Sequence, residues 1–389
     1  MNGRLRTLDG LRGLAVALVV LYHLWLFSWL APTIGAGAAS FSTRTYLETG
    51  FIGVELFFFI SGFCLFLPHA RAMIDGAARP SIGAFVERRV TKIVPSYYLA
   101  VAVTALFAAR SLNVYGDLPG ALWSHLTFTS ALSIEGFREW NGVFWSLSIE
   151  AQFYLMFPLV AAIARRAPLA VIGAMIAIAI AYRYSTAACC AGDYIRTQQL
   201  PTYLDLFAIG MAAAIGLVAV QARAPHGRLE HGAWTALSMG GFVLFVLGVR
   251  AVSAALANDH GWVLWQRSGQ TALALVWALI AIATASSASW WRRVVANPVL
   301  LFLSGVSYNL YLWHVLVIMV MLHYRLVPYH GRDMHADPGW QAAFVVVAAV
   351  LGLAIATSLT YGFERPVMAW SRASLRRVRG LPSAGLPSR

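Results

Sequence analysis

Long apolar stretches separated by short polar segments make up most of this chain. Each stretch approaches the roughly 20 residues that an α-helix needs to cross a bilayer. The pattern therefore predicts an all-α fold, a polytopic membrane bundle of about ten transmembrane helices. The predicted spans are residues 11–30, 51–69, 95–112, 143–163, 168–184, 200–220, 233–253, 265–286, 297–323 and 339–361.

Composition favours the membrane class over the soluble one. Hydrophobic residues are 59% of the 389 residues, and charged residues are 12%, about half of what a soluble domain usually carries. A net charge of +13 could indicate a nucleic-acid partner, but the basic residues lie in short segments between apolar stretches. Topology and anionic lipid headgroups explain that placement. We expect membrane lipids as partners and no nucleic acid.

The distribution of basic residues predicts the orientation of the bundle. Segments on one side of the predicted spans carry 20 Arg and Lys residues, and those on the other side carry 5. The positive-inside rule then puts both termini in the cytoplasm. We expect residues 1–370 to form one membrane domain and residues 371–389 to form a disordered basic cytoplasmic tail.

Ionisable side chains within the predicted spans are the first candidates for function, because each costs about 2.5–3.5 kcal/mol to insert. Arg12 and His23 are eleven residues apart, so they share one helix face about 16 Å apart. The other four, at similar depth in the outer half, are Glu55, Glu150, Asp205 and His314. Together they predict a polar chamber joined to the cytoplasm by the Arg12–His23 face. Interhelical hydrogen bonding is the alternative for each residue.

Arg88, Arg89 and Lys92 form the densest basic site beside a predicted span, in a loop over residues 70–94. Such a site can be a topology determinant and lipid anchor. It can also bind a phosphate-bearing ligand, since arginine binds phosphate bidentately. The chain contains no P-loop, no GxGxxG and no GxSxG, and no clustered metal ligands, so no metal is expected.

Three cysteines fit neither a disulfide framework nor a metal site. Cys64 lies within an apolar stretch, and Cys189 and Cys190 are adjacent in a predicted outward loop. A bridge between sequence neighbours is strained, so we expect all three to be inert.

Six short blocks follow one another between residues 8 and 366. They are Leu8-Asp9-Gly10-Leu11-Arg12-Gly13-Leu14-Ala15 with Tyr22-His23, Gly53-Val54-Glu55-Leu56-Phe57-Phe58-Phe59-Ile60-Ser61-Gly62-Phe63, Arg88-Arg89 with Pro95-Ser96-Tyr97-Tyr98, Trp145-Ser146-Leu147-Ser148-Ile149-Glu150 with Phe153-Tyr154, Ser307-Tyr308 with Tyr311-Leu312-Trp313-His314, and Phe363-Glu364-Arg365-Pro366. Together they resemble the acyltransferase family 3 membrane proteins, which O-acylate sugars and other hydroxyl-bearing acceptors.

The resemblance implies a multi-pass O-acyltransferase of the bacterial cytoplasmic (inner) membrane. The donor would be a cytoplasmic acyl-CoA, most simply acetyl-CoA, and the reaction an O-acetylation that modifies a polysaccharide. The acceptor would be an envelope glycan or a lipid-linked sugar, with a secondary metabolite such as a macrolide as the alternative. The sequence departs from the family at Lys92, where arginine is common, and shows no additional C-terminal hydrolase-like domain. We therefore expect no relay through such a domain.

The resemblance also assigns roles to the candidate residues. His23 would be the general base on the acceptor hydroxyl, or be transiently acylated, and Arg12 would stabilise the donor. Glu150, or failing that Glu55, would orient His23. The residues expected to bind the donor phosphates are Arg88, Arg89 and Lys92. Those expected to line the substrate site are Asp205, Trp145 and His314, although the sequence favours packing and interface anchoring over ligand binding for Trp145.

Two other function classes remain open on the sequence. The same chamber could belong to a proton-coupled transporter or flippase, with His23 and the carboxylates as a proton relay. The chain could also be a catalytically silent membrane scaffold. Loops at 31–50, 113–142 and 324–338 would shape acceptor choice in the enzyme. The pattern predicts neither the acyl chain nor the oligomeric state.

Overall fold

Ten long helices form the described part of the protein. The computed structural model describes residues 5–35, 40–111, 118–132, 141–190, 193–223, 227–257, 259–329 and 333–378. Ten helical segments in these ranges are long and apolar enough to cross a membrane, which confirms the predicted all-α polytopic fold. The long helices are α1 Arg6–Ser28, α3 Ile52–Ile74, α4 Ile82–Ser111, α6 Phe144–Ala164, α7 Pro168–Cys189, α9 Leu200–Gln221, α10 Arg228–Leu256, α12 Gln270–Ser286, α14 Pro298–His323 and α15 Pro338–Leu359.

Short elements connect or extend these helices. The short α-helices are α2 Arg44–Leu47, α5 Leu118–Leu126, α8 Tyr194–Thr197, α11 Asp259–Leu264, α13 Ser289–Val295 and α16 Arg365–Val378. Two π-helical segments, Trp265–Gly269 and Thr360–Glu364, lead into α12 and α16, and 3₁₀ turns lie at Ser130–Leu132 and Met334–Ala336. Strands β1 Thr33–Ile34 and β2 Phe41–Ser42 form one small antiparallel pair, with Thr33 opposite Ser42.

Local sequence explains where the last two long helices begin. Asn297 caps α14 by accepting a hydrogen bond from the Leu300 amide at 3.0 Å. Asp337 caps α15 and accepts from the amides of Gly339 and Trp340. In both helices a proline follows the cap at the first helical position, where its missing N–H costs nothing.

Helix α4 differs from its predicted span. The span was predicted from residue 95, but α4 begins at Ile82 and keeps Pro95 inside it. Hydropathy marks only the part of a helix that matches the hydrocarbon layer, and the segment before Pro95 is polar enough to extend beyond it. The predicted basic loop is therefore helical from residue 82 onward, and Arg88, Arg89 and Lys92 lie on one rigid element.

Close backbone contacts hold the centre of the bundle together. A side chain at Gly62 on α3 would collide with the backbone of Phe207 on α9, and one at Gly210 on α9 would collide with the backbone of Phe59. Small residues permit this approach, which is how membrane helices gain packing energy without a hydrophobic driving force. Helices α3, α9 and α14 contain the most buried of the ten spans. They form a rigid frame around the cavities described below.

The first and last described helices meet at one end of the bundle, where Arg6 of α1 and Arg372 of α16 line the same cavity. This arrangement agrees with an even number of crossings, and which side of the membrane this end faces stays a prediction. Residues 371–378 of the predicted tail belong to helix α16 instead of being disordered, and residues 379–389 lie outside the described part. The domain division at residue 370 also stays a prediction.

Two of the three cysteines are paired. Cys189 and Cys190, at the end of α7, form a disulfide, whereas Cys64 is a free thiol on α3. We had expected no such bridge between neighbours. The Nη1 atom of Arg196 lies 3.1 Å from Cys190 Sγ, so the bridged pair contacts α8.

Candidate active site

Two histidines from different helices contact each other. Nε2 of His314 on α14 lies 3.2 Å from Nδ1 of His23 on α1. Nδ1 of His314 is 2.9 Å from the carbonyl oxygens of Leu310 and Tyr311, so it carries the hydrogen and Nε2 is an acceptor. Nδ1 of His23 is 2.9 Å from the carbonyl of Val19 and donates in the same way. Nε2 of His23 is therefore the unprotonated nitrogen, which suits it to accept a proton.

His23 faces a cavity of about 900 Å³, the histidine chamber. Its walls combine aromatic rings with hydrogen-bonding side chains. The aromatic lining includes Tyr22, Trp25, Phe51, Trp145, Tyr203 and Trp262, and the polar lining includes Arg44, Glu48, Glu55, Gln198, Gln266 and Gln270. Such a mixed wall suits a ligand with both apolar faces and hydroxyl groups.

Glu55 supplies an unused acceptor at the chamber wall. It is 5% exposed, and its Oε2 has no hydrogen-bond partner among the described residues. Most buried polar atoms in proteins are hydrogen-bonded, so an unpaired carboxylate oxygen on a residue that lines a cavity indicates a site for a donor from a ligand.

A buried ion pair lies beside the chamber. Nη2 of Arg183 on α7 is 2.7 Å from Oδ2 of Asp205 on α9, and both side chains are almost completely buried. Arg183 also donates to the carbonyl of Thr202 and to the side chains of Gln270 and Thr271. The protein itself thus neutralises both charges and links α7, α9 and α12.

A second, smaller cavity of about 220 Å³ carries several positive charges, and we call it the arginine cavity. Within the described ranges Arg12 makes two long contacts there, 3.4 Å to Asp9 and 3.6 Å to Cys64 Sγ. The guanidinium carbon of Arg89 lies 5.0 Å from the centre of the Tyr154 ring, and its buried Nε has no hydrogen-bond partner in the described ranges. These two guanidinium groups therefore keep donors free for a ligand.

Glu150 lies in the arginine cavity and accepts hydrogen bonds from Ser61 and Tyr154. Lys92 in the same cavity forms an ion pair with Glu364, which also accepts from Asn309 at 3.0 Å. The cavity thus contains three cationic side chains and one carboxylate that faces it, Glu150. An anionic ligand suits this balance.

The histidine chamber and the arginine cavity share a wall. Val54 and Tyr311 line both, so these two side chains form a waist between them. The Tyr311 hydroxyl is held 2.5 Å from Ser146 Oγ and 3.2 Å from the carbonyl of Val143. A ligand that reached from one cavity into the other would pass Tyr311.

A third cavity, the terminal vestibule, opens at the end where α1 begins and α16 ends. Its volume is about 820 Å³. It shares Lys92, Ser304 and Gly305 with the arginine cavity. Vestibule, arginine cavity and histidine chamber therefore adjoin in series through the bundle, wide at both ends and narrow in the middle.

Comparison with known proteins identifies the family of this chain. A family model described as an acyltransferase domain, Acyl_transf_3, matches residues 5–360. The chain belongs to the acyltransferase 3 family. The resemblance drawn from the six sequence blocks is thereby confirmed. No solved structure matches the chain.

Curated members of the acyltransferase 3 family are similar at low identity. A putative O-acetyltransferase of Staphylococcus aureus (strain COL) is 24% identical over 341 residues, which is 82% of this chain and 51% of that protein. The putative peptidoglycan O-acetyltransferase YrhL of Bacillus subtilis is 25% identical over 95% of this chain and 56% of its own length. The putative membrane-bound transacylase BcsY of Komagataeibacter xylinus is 27% identical, over 96% and 88% respectively. The chain thus spans about half the length of the first two relatives.

The structure separates residues that the sequence had grouped around His23. We had expected Glu150 or Glu55 to orient His23, but Glu150 lies beyond the waist and Glu55 forms no described contact with the ring. The partner is His314, which is 3% exposed and lies behind His23 instead of lining the chamber. The spacing of residues along a helix predicts which face of that helix a side chain occupies, but it does not predict which other helix packs against that face. The contact between His23 and His314 was therefore missed.

Some of the remaining predicted site residues line a cavity and others do not. Trp145 lines the histidine chamber, whereas Asp205 is paired with Arg183 and lines none of the three cavities. Arg89 and Lys92 line the arginine cavity, but the exposed Arg88 lines none of them. Parts of the loops predicted to shape acceptor choice, residues 36–39, 113–117, 133–140 and 330–332, lie outside the described residues.

Sequence reasoning did not single out Arg183 as a candidate. Its signal was available, because it is an arginine near the end of the apolar stretch 168–184 and so needs a partner. Among the described residues no group of three or more metal-ligating side chains occurs.

Proposed function

We propose that this protein is a membrane O-acyltransferase that transfers an acyl group, most simply acetyl, from cytoplasmic acyl-CoA to a hydroxyl of an envelope glycan or lipid-linked sugar. One observation carries the proposal: His23, whose Nε2 is the unprotonated nitrogen, lines a chamber that adjoins a cationic cavity at Tyr311. A base and a site for an anionic donor thus lie on either side of one narrow waist.

The chemistry needs one base and two bound substrates. His23 Nε2 removes the proton of the acceptor hydroxyl as the oxygen attacks the thioester carbonyl. The carbon–sulfur bond then breaks, and the proton passes from His23 to the departing thiolate, which leaves as free coenzyme A. The Val19 carbonyl and Nε2 of His314 share the one hydrogen on Nδ1 of His23, and both acceptors keep the imidazole in the tautomer that this step requires.

The shape of the cavities supports an acyl-CoA donor. Acyl-CoA carries its negative charges on a bulky nucleotide and its reactive carbonyl at the end of a thin, flexible arm. The wide vestibule and cationic arginine cavity, about 820 and 220 Å³, match these two parts in order. The excess of basic residues on the side of the termini supports a cytoplasmic vestibule.

The histidine chamber supports a hydroxyl-rich acceptor. Aromatic faces such as Trp145 and Trp262 can pack on the apolar face of a sugar, and the free oxygen of Glu55 can accept from a hydroxyl. The relative YrhL is a putative peptidoglycan O-acetyltransferase, which supports a glycan as the acceptor. A macrolide remains the alternative acceptor, but it would use fewer of the polar side chains.

The test is transfer of labelled acetyl from acetyl-CoA to envelope glycans by purified protein in vesicles. His23→Ala should lower transfer by about 10²–10⁴-fold, the usual share of a general base, without loss of folded protein. His69→Ala is the matched control, because this half-buried histidine on α3 packs on Phe66 and Phe157 and lines none of the three cavities. Near-normal transfer by His23→Ala would refute the proposed mechanism.

The arrangement of the cavities in series also suits a second function, a proton-coupled transporter or flippase. In that case His23 would relay protons and no acyl donor would be required. Transport that depends on a proton gradient and ignores acetyl-CoA would favour the transporter. A scaffold, by contrast, would tolerate loss of both Arg12 and His23.

A further inference from the structure

The terminal vestibule contains more positive charge than the protein neutralises. Its cationic lining consists of Arg6, Lys92, Arg365 and Arg372, and its acidic lining of Asp9 and Glu364. Glu364 is already paired with Lys92, and Asp9 lies 3.4 Å from Arg12. Neither carboxylate is left for the three arginines.

The three arginines have no carboxylate within ion-pair distance in the described part of the chain. The guanidinium of Arg365 lies over the ring of Tyr361, 4.0 Å from its centre, which positions it without neutralising it. Arg6 and Arg372 are exposed and come from the two ends of the chain, α1 and α16. Three planar guanidinium groups around one opening suit a ligand with several phosphates, since each can bind phosphate bidentately.

The junction with the arginine cavity is open on the vestibule side. Gly305 lines both cavities, and a Cβ atom added there would meet no atom within 4 Å outside its own stretch of helix. A ligand held by the arginines could therefore extend past Gly305 toward Arg12 and Arg89. From Arg6 to His23 the path follows α1 for about 26 Å, at 1.5 Å per residue.

We propose that the vestibule binds the phosphates of the donor's nucleotide, with Arg6, Arg365 and Arg372 as their ligands. This inference rests on the proposed function and deepens it, because it moves phosphate binding away from Arg88. Arg12 and Arg89 then bind the part of the donor nearer the thioester. The headgroup of an anionic lipid offers the same phosphate chemistry at this exposed site, so the test must separate the two sources.

The experiment compares binding of coenzyme A, 3′-dephospho-coenzyme A and pantetheine by calorimetry, with the full chain in uncharged detergent. Wild type should prefer coenzyme A. In Arg6→Ala/Arg372→Ala the affinity for coenzyme A should fall about tenfold or more, and pantetheine binding should not change. Arg223→Ala/Arg228→Ala removes the same charge from residues that line none of the three cavities, and should bind like wild type.

Each outcome separates the two proposals. If wild type binds no coenzyme A, the proposed acyl-CoA donor is wrong. If wild type binds it and Arg6→Ala/Arg372→Ala binds it equally well, only the vestibule assignment is wrong. A further outcome is that phosphatidylglycerol raises the melting temperature of wild type but not of Arg6→Ala/Arg372→Ala, while both proteins bind coenzyme A with the same affinity. That result would assign the vestibule to lipid and overturn the inference. Unliganded melting temperatures check that both variants are folded.

Discussion

Arg183 and Arg89 are both positive charges on long helices, but they differ in their partners. The two Nη atoms of Arg183 make five hydrogen bonds, two of them to the buried carboxylate of Asp205. Among the described residues the Nε atoms of both arginines are buried without a partner, but the Nη atoms of Arg89 make no hydrogen bond and its guanidinium lies beside the ring of Tyr154. The first charge holds helices together, and the second is available to a ligand. Sequence alone does not distinguish them.

The largest loss of stability should come from breaking the ion pair between Arg183 and Asp205. Arg183→Leu leaves the carboxylate of Asp205 buried without its counterion, which typically costs about 3–5 kcal/mol of stability. We expect a loss of folded protein in a denaturant or thermal series on purified protein. The double variant Arg183→Leu/Asp205→Leu should recover part of the loss because it removes both charges. Full stability of Arg183→Leu alone would contradict the structural role.

Replacing Arg89 should affect the binding of coenzyme A more than the stability of the protein. Arg89→Ala removes free donors that face the arginine cavity, so coenzyme A affinity should fall by about 1.5–3 kcal/mol, the worth of a hydrogen bond to a charged group. The neighbouring Arg88→Ala is the matched variant, since Arg88 is exposed and lines none of the three cavities. Equal losses in the two variants would mean that bulk charge, and not the cavity, determines affinity.

A steric change at the vestibule neck should affect passage of the donor. In Gly305→Leu the new Cβ atom enters open space, so we expect the fold to persist. Passage of the arm would then require the walls to give way, at about 1–3 kcal/mol, or roughly tenfold in transfer rate. Gly173→Leu on α7 is the control, because that glycine is exposed, also meets open space and lines none of the three cavities. Equal transfer rates in the two variants would contradict the predicted path.

The smallest effect concerns the free oxygen of Glu55. Glu55→Gln keeps the size of the side chain but weakens its acceptance of a hydrogen bond, by about 0.5–1.5 kcal/mol. We expect the KM for the acceptor to rise and the KM for acetyl-CoA to stay the same. A change in the donor KM instead would show that Glu55 acts across the waist and not on the acceptor.

The membrane fold could be predicted from the sequence because hydropathy reports directly on the length of apolar helix. Hydropathy gave the wrong start for α4, because this helix extends through the polar segment before Pro95. That extension brings Arg89 and Lys92 into the arginine cavity. Helix periodicity also predicted that Arg12 and His23 share a face. These two residues line different cavities on either side of the waist, in agreement with the predicted separation along α1.

The candidate site could be predicted only in part because its contacts join distant parts of the chain. His23 contacts a residue 291 positions away, and Lys92 is paired with a residue 272 positions away. No periodicity within one helix identifies such partners. The vestibule is the extreme case, since its arginines come from both ends of the chain and none of them was a candidate.

The waist at Val54 and Tyr311 has an electrical consequence for a protein that spans a membrane. Moving one charge through a potential of 100 mV involves about 2.3 kcal/mol. Under the proposed function the phosphates remain in the vestibule, and only the uncharged acyl arm passes Tyr311 toward His23. The proton that His23 removes returns to the thiolate at the same place. Acyl transfer would then perform no electrical work, and its rate should be the same in polarised and depolarised vesicles.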